Sequence, residues 1–144
     1  MSCKSGRIAE LARPFEGRAL DARYLAYFDC FNRRQFFEAH EVLEDLWLSR
    51  RQSPEGAFYK GLIQLAGAFV HLQKGRPGPA LALFRLAQSS LKPFPAAYQA
   101  LDLCAVGAII REWSDRVAAV RPGSAFSLEE ADYPRLLSPV GAES

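Results

Sequence analysis

Phe36-Phe37-Glu38-Ala39-His40-Glu41-Val42-Leu43-Glu44-Asp45-Leu46-Trp47 sets four acids and one histidine among six large apolar side chains. At about 100° per residue, Phe36, Ala39, Val42, Leu43, Leu46 and Trp47 fall on one arc of a helix, which makes Phe36 and Trp47 candidate core anchors. Glu38, Glu41 and Asp45 fall opposite and are expected to be solvated. His40 and Glu44 stand on the border of the apolar arc, spaced i, i+4 and so neighbours on the helix surface. The stretch is a helix with a polar feature beyond what packing requires, and the rest of the chain is read around it.

The remaining sequence is punctuated by proline and glycine and has little of the period-2 alternation that strands require. A short helix is expected near Ser5 to Ala12, stopped by Pro14, and a second from about Asp21 to Phe31 with Asp21 as its N-cap. Asn32 to Arg34 form the turn into the central helix, about Gln35 to Ser49, whose end is complemented by Arg50 and Arg51. Ser53-Pro54-Glu55-Gly56 reads as a start signal for a helix running to Lys74 and ending at Gly75. That helix is apolar almost all the way round, as befits the middle of a bundle. One strip interrupts it: Lys60, Gln64, Gly67 and His71 share a side.

Arg76-Pro77-Gly78-Pro79 is a turn, followed by a helix from about Pro79 to Leu91. After Lys92-Pro93-Phe94-Pro95, a last long helix is expected from about Ala96 to Val120, stopped by Arg121-Pro122-Gly123. The tail keeps a capping-box pattern at Ser127 and Glu130, and Tyr133-Pro134 suits an extended strap. The expectation is an all-α fold: a single compact multihelical bundle of about five to six helices in one domain, residues 1–144, with a core at about 24–120 and a strap at 121–144. The helices at 58–74 and 79–91 resemble one unit of a repeat, but no second copy follows at a fixed period.

The 144 residues are ordinary in composition, 49% hydrophobic and 24% charged, with a net charge of +2. Such a balance implies neither nucleic acid nor an anionic membrane as a partner. Cys3, Cys30 and Cys104 lack metal-binding or disulfide spacing and read as free thiols. The first residues carry scattered charges in place of the apolar run of a signal peptide, and no stretch is long and apolar enough for a membrane span. A reducing cytoplasm is the expected setting.

The pattern Phe31-Asn32-x-x-x-Phe36-Phe37-Glu38-Ala39-His40-Glu41-Val42-Leu43-Glu44-x-Leu46-Trp47, with Gly61-Leu62-Ile63-Gln64-Leu65-Ala66 and His71-Leu72-Gln73-Lys74-Gly75, resembles the DUF309 family across roughly Tyr24 to Leu91. The resemblance implies a multihelical bundle of unassigned function and names no catalytic residues. Arg34 stands where the family usually has glycine and Arg76 where it often has asparagine. A non-glycine residue in a left-handed turn costs roughly 1 kcal/mol, so the turn before the central helix is expected to differ here.

The candidate polar cluster therefore comprises His40, Glu44, Gln64, His71, Lys60 and Glu41, brought together if the two polar strips face each other across antiparallel central helices. Three readings compete. The first is a dry structural network, since buried polar groups must be paired. The second is a cleft for a small anion or peptide, attracted by Lys60 and a charged histidine. The third is a metal-dependent, hydrolase-like enzyme with His40, Glu44 and His71 as ligands of an open site. The first two are favoured, and no cofactor is expected. Separately, Phe28, Phe31, Phe36, Phe37, Tyr59, Phe69 and Phe84 are more aromatics than one small bundle hides, which favours a homo-oligomer.

Overall fold

The computed structural model describes residues 3–120 and 133–136, apart from the side chains of residues 3–5. Among the described residues the chain forms α1 (Cys3–Ala12), a 3-10 turn at Arg13–Phe15, α2 (Ala22–Asn32), α3 (Phe36–Arg50), α4 (Gly56–Gln73), α5 (Pro77–Leu91), a hairpin of β1 (Ala97–Tyr98) and β2 (Leu101–Asp102), and α6 (Leu103–Ala118). The all-α expectation holds. The helices pack in sequence order, α2 on α3, α3 on α4, α4 on α5 and α5 on α6, with α1 lying against α2 and α3. Short connections favour neighbours of this kind.

Local signals explain most boundaries. Asp21 caps α2 by accepting from the Arg23 N–H at 2.8 Å, and Gly75 ends α4 with a φ of +71°. Pro77 begins α5 two residues ahead of the expected Pro79, because its fixed φ suits a first helical position. The start of α4 shifts the other way. Ser53 does not cap it; its carbonyl accepts from the Gly56 N–H in a tight turn, and the helix begins at Gly56. A Cβ on Gly56 would sit 2.7 Å from the Arg51 carbonyl oxygen and 2.8 Å from that of Arg50. Only glycine lets α4 start so close against the end of α3.

The expected helix from Ala96 is broken by the hairpin. Tyr98 pairs with Leu101 and Ala97 with Asp102, and the turn residues Gln99 and Ala100 adopt φ of 47° and 59°. Non-glycine residues rarely do so, but the Tyr24 hydroxyl donates to the Gln99 carbonyl at 2.9 Å and the Tyr59 hydroxyl to its Oε1 at 3.0 Å. Two tyrosines from α2 and α4 thus hold the turn in place. The helix proper starts at Leu103, where Asp102 accepts from the N–H groups of Cys104 and Ala105.

All the buried hydrophobic residues but Ala12 form one cluster. α4 contributes eleven of its residues to the interior, more than any other described helix. Six of the seven aromatics expected to be in surplus are buried; Phe37 alone is exposed. Edge-to-face and offset ring pairs pack them efficiently, so the argument for oligomerisation from excess aromatics fails. Phe36 is fully buried as expected, whereas Trp47 is only half-buried at the flank and the tryptophan fixed in the core is Trp113.

Within the segment expected to form a strap, residues 133–136 are described and are tied to α2. Asn32 Nδ2 donates to the Leu136 carbonyl and the Leu136 N–H donates back to Asn32 Oδ1, both at 2.8 Å. A side-chain amide here stands in for one rung of a β-ladder. Tyr133 lies parallel to Trp113 and against Phe36. The Ser127–Glu130 capping pattern lies outside the described residues.

Arg34 takes a φ of +63°, so the turn keeps the left-handed shape that glycine would favour. Its N–H donates to Phe31 and its carbonyl accepts from Gln73 Nε2 at 3.1 Å, contacts that outweigh the local strain. Arg34→Gly should therefore be more stable than Arg34→Ala by about 1 kcal/mol in chemical denaturation; equal stabilities would mean the turn is not left-handed. On α4, a Cβ at Gly61 would lie 2.7 Å from Leu91 Cγ. Gly61→Ala gains about 1 kcal/mol of helix propensity but overpacks a buried contact at a cost of about 1–3 kcal/mol. A lower denaturant midpoint is the expected result.

Candidate polar site

α3 turns its apolar arc onto α2 and α4, and its polar residues occupy the remaining side. Glu41 is not solvated as its helical position suggested: it is buried, and Arg7 of α1 donates to its carboxylate. The same guanidinium lies 5.9 Å from the centre of the Phe37 ring. His40 stacks beside Phe37, and its Nε2 is 3.7 Å from the Glu44 carboxylate. Both side chains are about one-third exposed, 32% for His40 and 31% for Glu44. Pairs of this kind contribute little to stability in water.

The polar strip of α4 points elsewhere. Ser90 of α5 donates to Gln64 Oε1 at 2.8 Å, and a Cβ at Gly67 would meet Leu83 of α5 at 3.2 Å. Lys60, one turn before Gln64, is exposed. His71 lies one turn beyond Gly67 on the same line. Phe69, about 200° round the helix from His71, is the residue that stacks on Phe36 of α3. The Gln64 and His71 side of α4 therefore faces α5, and the two strips do not meet.

That geometry decides between the chemical readings. The dry network across α3 and α4 dissolves into separate local contacts: Arg7 with Glu41, His40 with Glu44, Ser90 with Gln64. Lys60 and His71 stay on one line of α4, away from His40 on α3. Among the described residues no group of three or more His, Cys, Asp and Glu is disposed to hold a metal. His40, Glu44 and His71 thus do not assemble into the expected ligand set, and the hydrolase reading has no support. Spacing found the i, i+4 pair, but it carried no information on how α4 is rotated about its axis.

Sequence reasoning also passed over a charge network. Arg23 of α2 donates to Asp21 Oδ2 at 3.0 Å and to Asp45 Oδ2 of α3 at 2.8 Å. Burial raises the cost of ionising Asp21, yet the hydrogen bonds from Arg23 outweigh it and hold the carboxyl below its ordinary range. The same acids raise the Arg23 pKa. Asp45 stays partly exposed on the solvent side of α3, and the long side chain of Arg23 reaches it from α2. The network ties α2 to α3 at the wall of a cleft of about 700 Å³ that also includes Arg18 and Arg50.

His71 has a buried Nδ1 with no partner among the described residues. Burial, with the nearby positive charges of Arg76 and Lys74, lowers its pKa below 6.5. The unfolded chain then binds a proton more readily than the folded one, so stability is full above the ordinary imidazole value and falls as pH drops through the window beneath it. His71→Gln should flatten the decline of the denaturant midpoint between about pH 7 and pH 5. An unchanged slope would count against the lowered value.

The described helices include none long and apolar enough to cross a membrane. No curated protein and no solved structure matches the chain. The family model described as "Domain of unknown function (DUF309)" matches residues 24–83, from α2 into α5. It spans Phe31, Asn32, Phe36 and Phe69, which organise the core, together with the His40–Glu44 pair. Residues 24–83 match the DUF309 family, a domain of unknown function.

Proposed function

We propose that the chain is an interaction module that pairs with a second copy of itself along the outer side of α3. One observation carries the reading. Phe37, 48% exposed, and Leu48, 51% exposed, are two of the three exposed large hydrophobics among the described residues, and both lie on α3. At 100° per residue, Phe37, His40, Glu44 and Leu48 occupy an arc of about 80°. The order along this line is apolar, base, acid, apolar.

Such a line is self-complementary under a two-fold axis. Set antiparallel, Phe37 of one copy meets Leu48 of the other, and the His40 imidazole meets the Glu44 carboxylate, so the apolar ends and the polar centres match together. Glu41, the other acid near this line, is buried and paired with Arg7, so it adds no exposed charge there. Exposed apolar side chains supply affinity, while the imidazole and carboxylate set the direction of pairing. The reading places the pair in a reducing cytoplasm, in keeping with the free thiols of Cys30 and Cys104.

Analytical ultracentrifugation from about 1 to 100 μM should give a concentration-dependent dimer. Leu48→Lys should shift it to monomer without loss of helicity. His40→Glu sets like charges opposite each other and should weaken pairing, and the double variant His40→Glu/Glu44→Lys should restore it. A wild type that stays monomeric throughout the range, or one that associates as well as Leu48→Lys, defeats the proposal.

A further inference from the structure

The hairpin that interrupts the last helix has a consequence away from α3. By turning the chain aside after Phe94, it leaves a cleft of about 660 Å³ between the end of α5, the segment leading into β1 and the first turns of α6. That volume is typical of a small-molecule site. Its floor is apolar, built from Leu91, Phe94 and Ile110, of which Leu91 and Ile110 belong to the core. Lys92 and Arg111 stand at its edge, and none of its lining residues is an acid. Neither cation has an ion-pair partner among the described residues.

Arg111 is held close to the helix. A Cβ at Gly107, one turn earlier, would lie 3.5 Å from Arg111 Nη1, so the guanidinium folds back over the glycine and toward the cleft. Glycine within a helix costs about 1 kcal/mol against alanine, and here its missing side chain is space in the cleft. Asp102, an acid close by in the chain, is engaged in capping α6. An apolar floor with two cations at the rim and no opposing acid matches one chemistry.

The geometry points to this cleft as a binding site for an amphipathic anion, a carboxylate or phosphate carried on a short apolar body. The apolar body lies on Leu91, Phe94 and Ile110, and the anionic head is met by Lys92 and Arg111. The site is separate from the α3 seam and does not depend on dimerisation. Cys104, exposed at the cleft, supplies a chemical reporter. Burial pushes the Cys30 thiol in α2 up to about 12, so it stays unreactive under the same conditions.

Monomeric decanoate titrated into the intact protein should shift the backbone amide signals of Phe94, Cys104 and Gly107 in a saturable way. In a Cys3→Ser background it should also slow alkylation of Cys104. Lys92→Ala and Arg111→Ala should each weaken binding by about tenfold, because each removes a charge-assisted contact. Decanol, with the same body and no charge, should bind at least that much more weakly. Decyl phosphate separates the head groups: tighter binding than decanoate assigns a phosphate, weaker binding a carboxylate. No saturation up to about 1 mM, decanol binding as tightly as decanoate, or shifts that map away from the cleft would each overturn the inference.

Discussion

Five rings meet the ring of Phe69 on α4. Phe31 of α2 lies 5.5 Å away, Phe36 of α3 5.0 Å, Phe84 of α5 5.2 Å, Trp113 of α6 5.1 Å and Tyr133 of the strap 6.0 Å, centroid to centroid. One side chain thus joins every major element after α1. Four of these contacts are near-perpendicular and one is stacked, geometries in which the positive edge of one ring meets the negative face of another. Because interiors are close-packed and barely compressible, fixing these six rings fixes the rotation of α4 about its own axis. The placement of every polar group on that helix follows from it.

With Phe69 turned toward Phe36, Gln64 and His71 are carried round to α5. The backbone is then tied by hydrogen bonds that bridge distant parts of the chain. Tyr27 donates to the Leu62 carbonyl at 2.6 Å, Tyr24 and Tyr59 hold Gln99, and Asn32 holds Leu136 by both backbone groups. Each tyrosine hydroxyl is a polar atom at the edge of an apolar ring, placed where the core ends, which meets the requirement that buried polar groups find partners. The aromatic residues are therefore both core and clamps. The two surfaces proposed for recognition, the line along α3 and the cleft between α5 and α6, lie outside this frame.

Much of this was legible in the residues. Helix number, the Asp21 cap, the Gly75 stop and the depth of α4 follow from periodicity and from turn chemistry that acts within a few residues. The Phe31-Asn32 motif marked a structural corner, although its amide partner, Leu136, lies 104 residues away and no local rule points to it. The hairpin at 97–102 was missed because two-residue strands carry almost no periodic signal. It exists through contacts with Tyr24 and Tyr59 that form only once α2 and α4 are in place. Glu41 was misread for a related reason: a helical wheel knows the helix's own core, and Arg7 of α1 arrives from outside it.

The sequence by itself determined the elements, since capping, proline and glycine punctuation and the 3.6-residue period act over one or two turns. It also determined that His40 and Glu44 are neighbours, because i, i+4 proximity is a property of the helix alone. Only the tertiary structure decided which way each polar strip points. That choice rests on how the rings around Phe69 interlock, a many-body packing condition in which a rotation of about 100°, one residue's worth, exchanges a residue facing α3 for one facing α5. The candidate cluster read as one site was therefore two unrelated edges of the bundle, and the cleft between α5 and α6 came from a chain reversal that long-range hydrogen bonds hold in place.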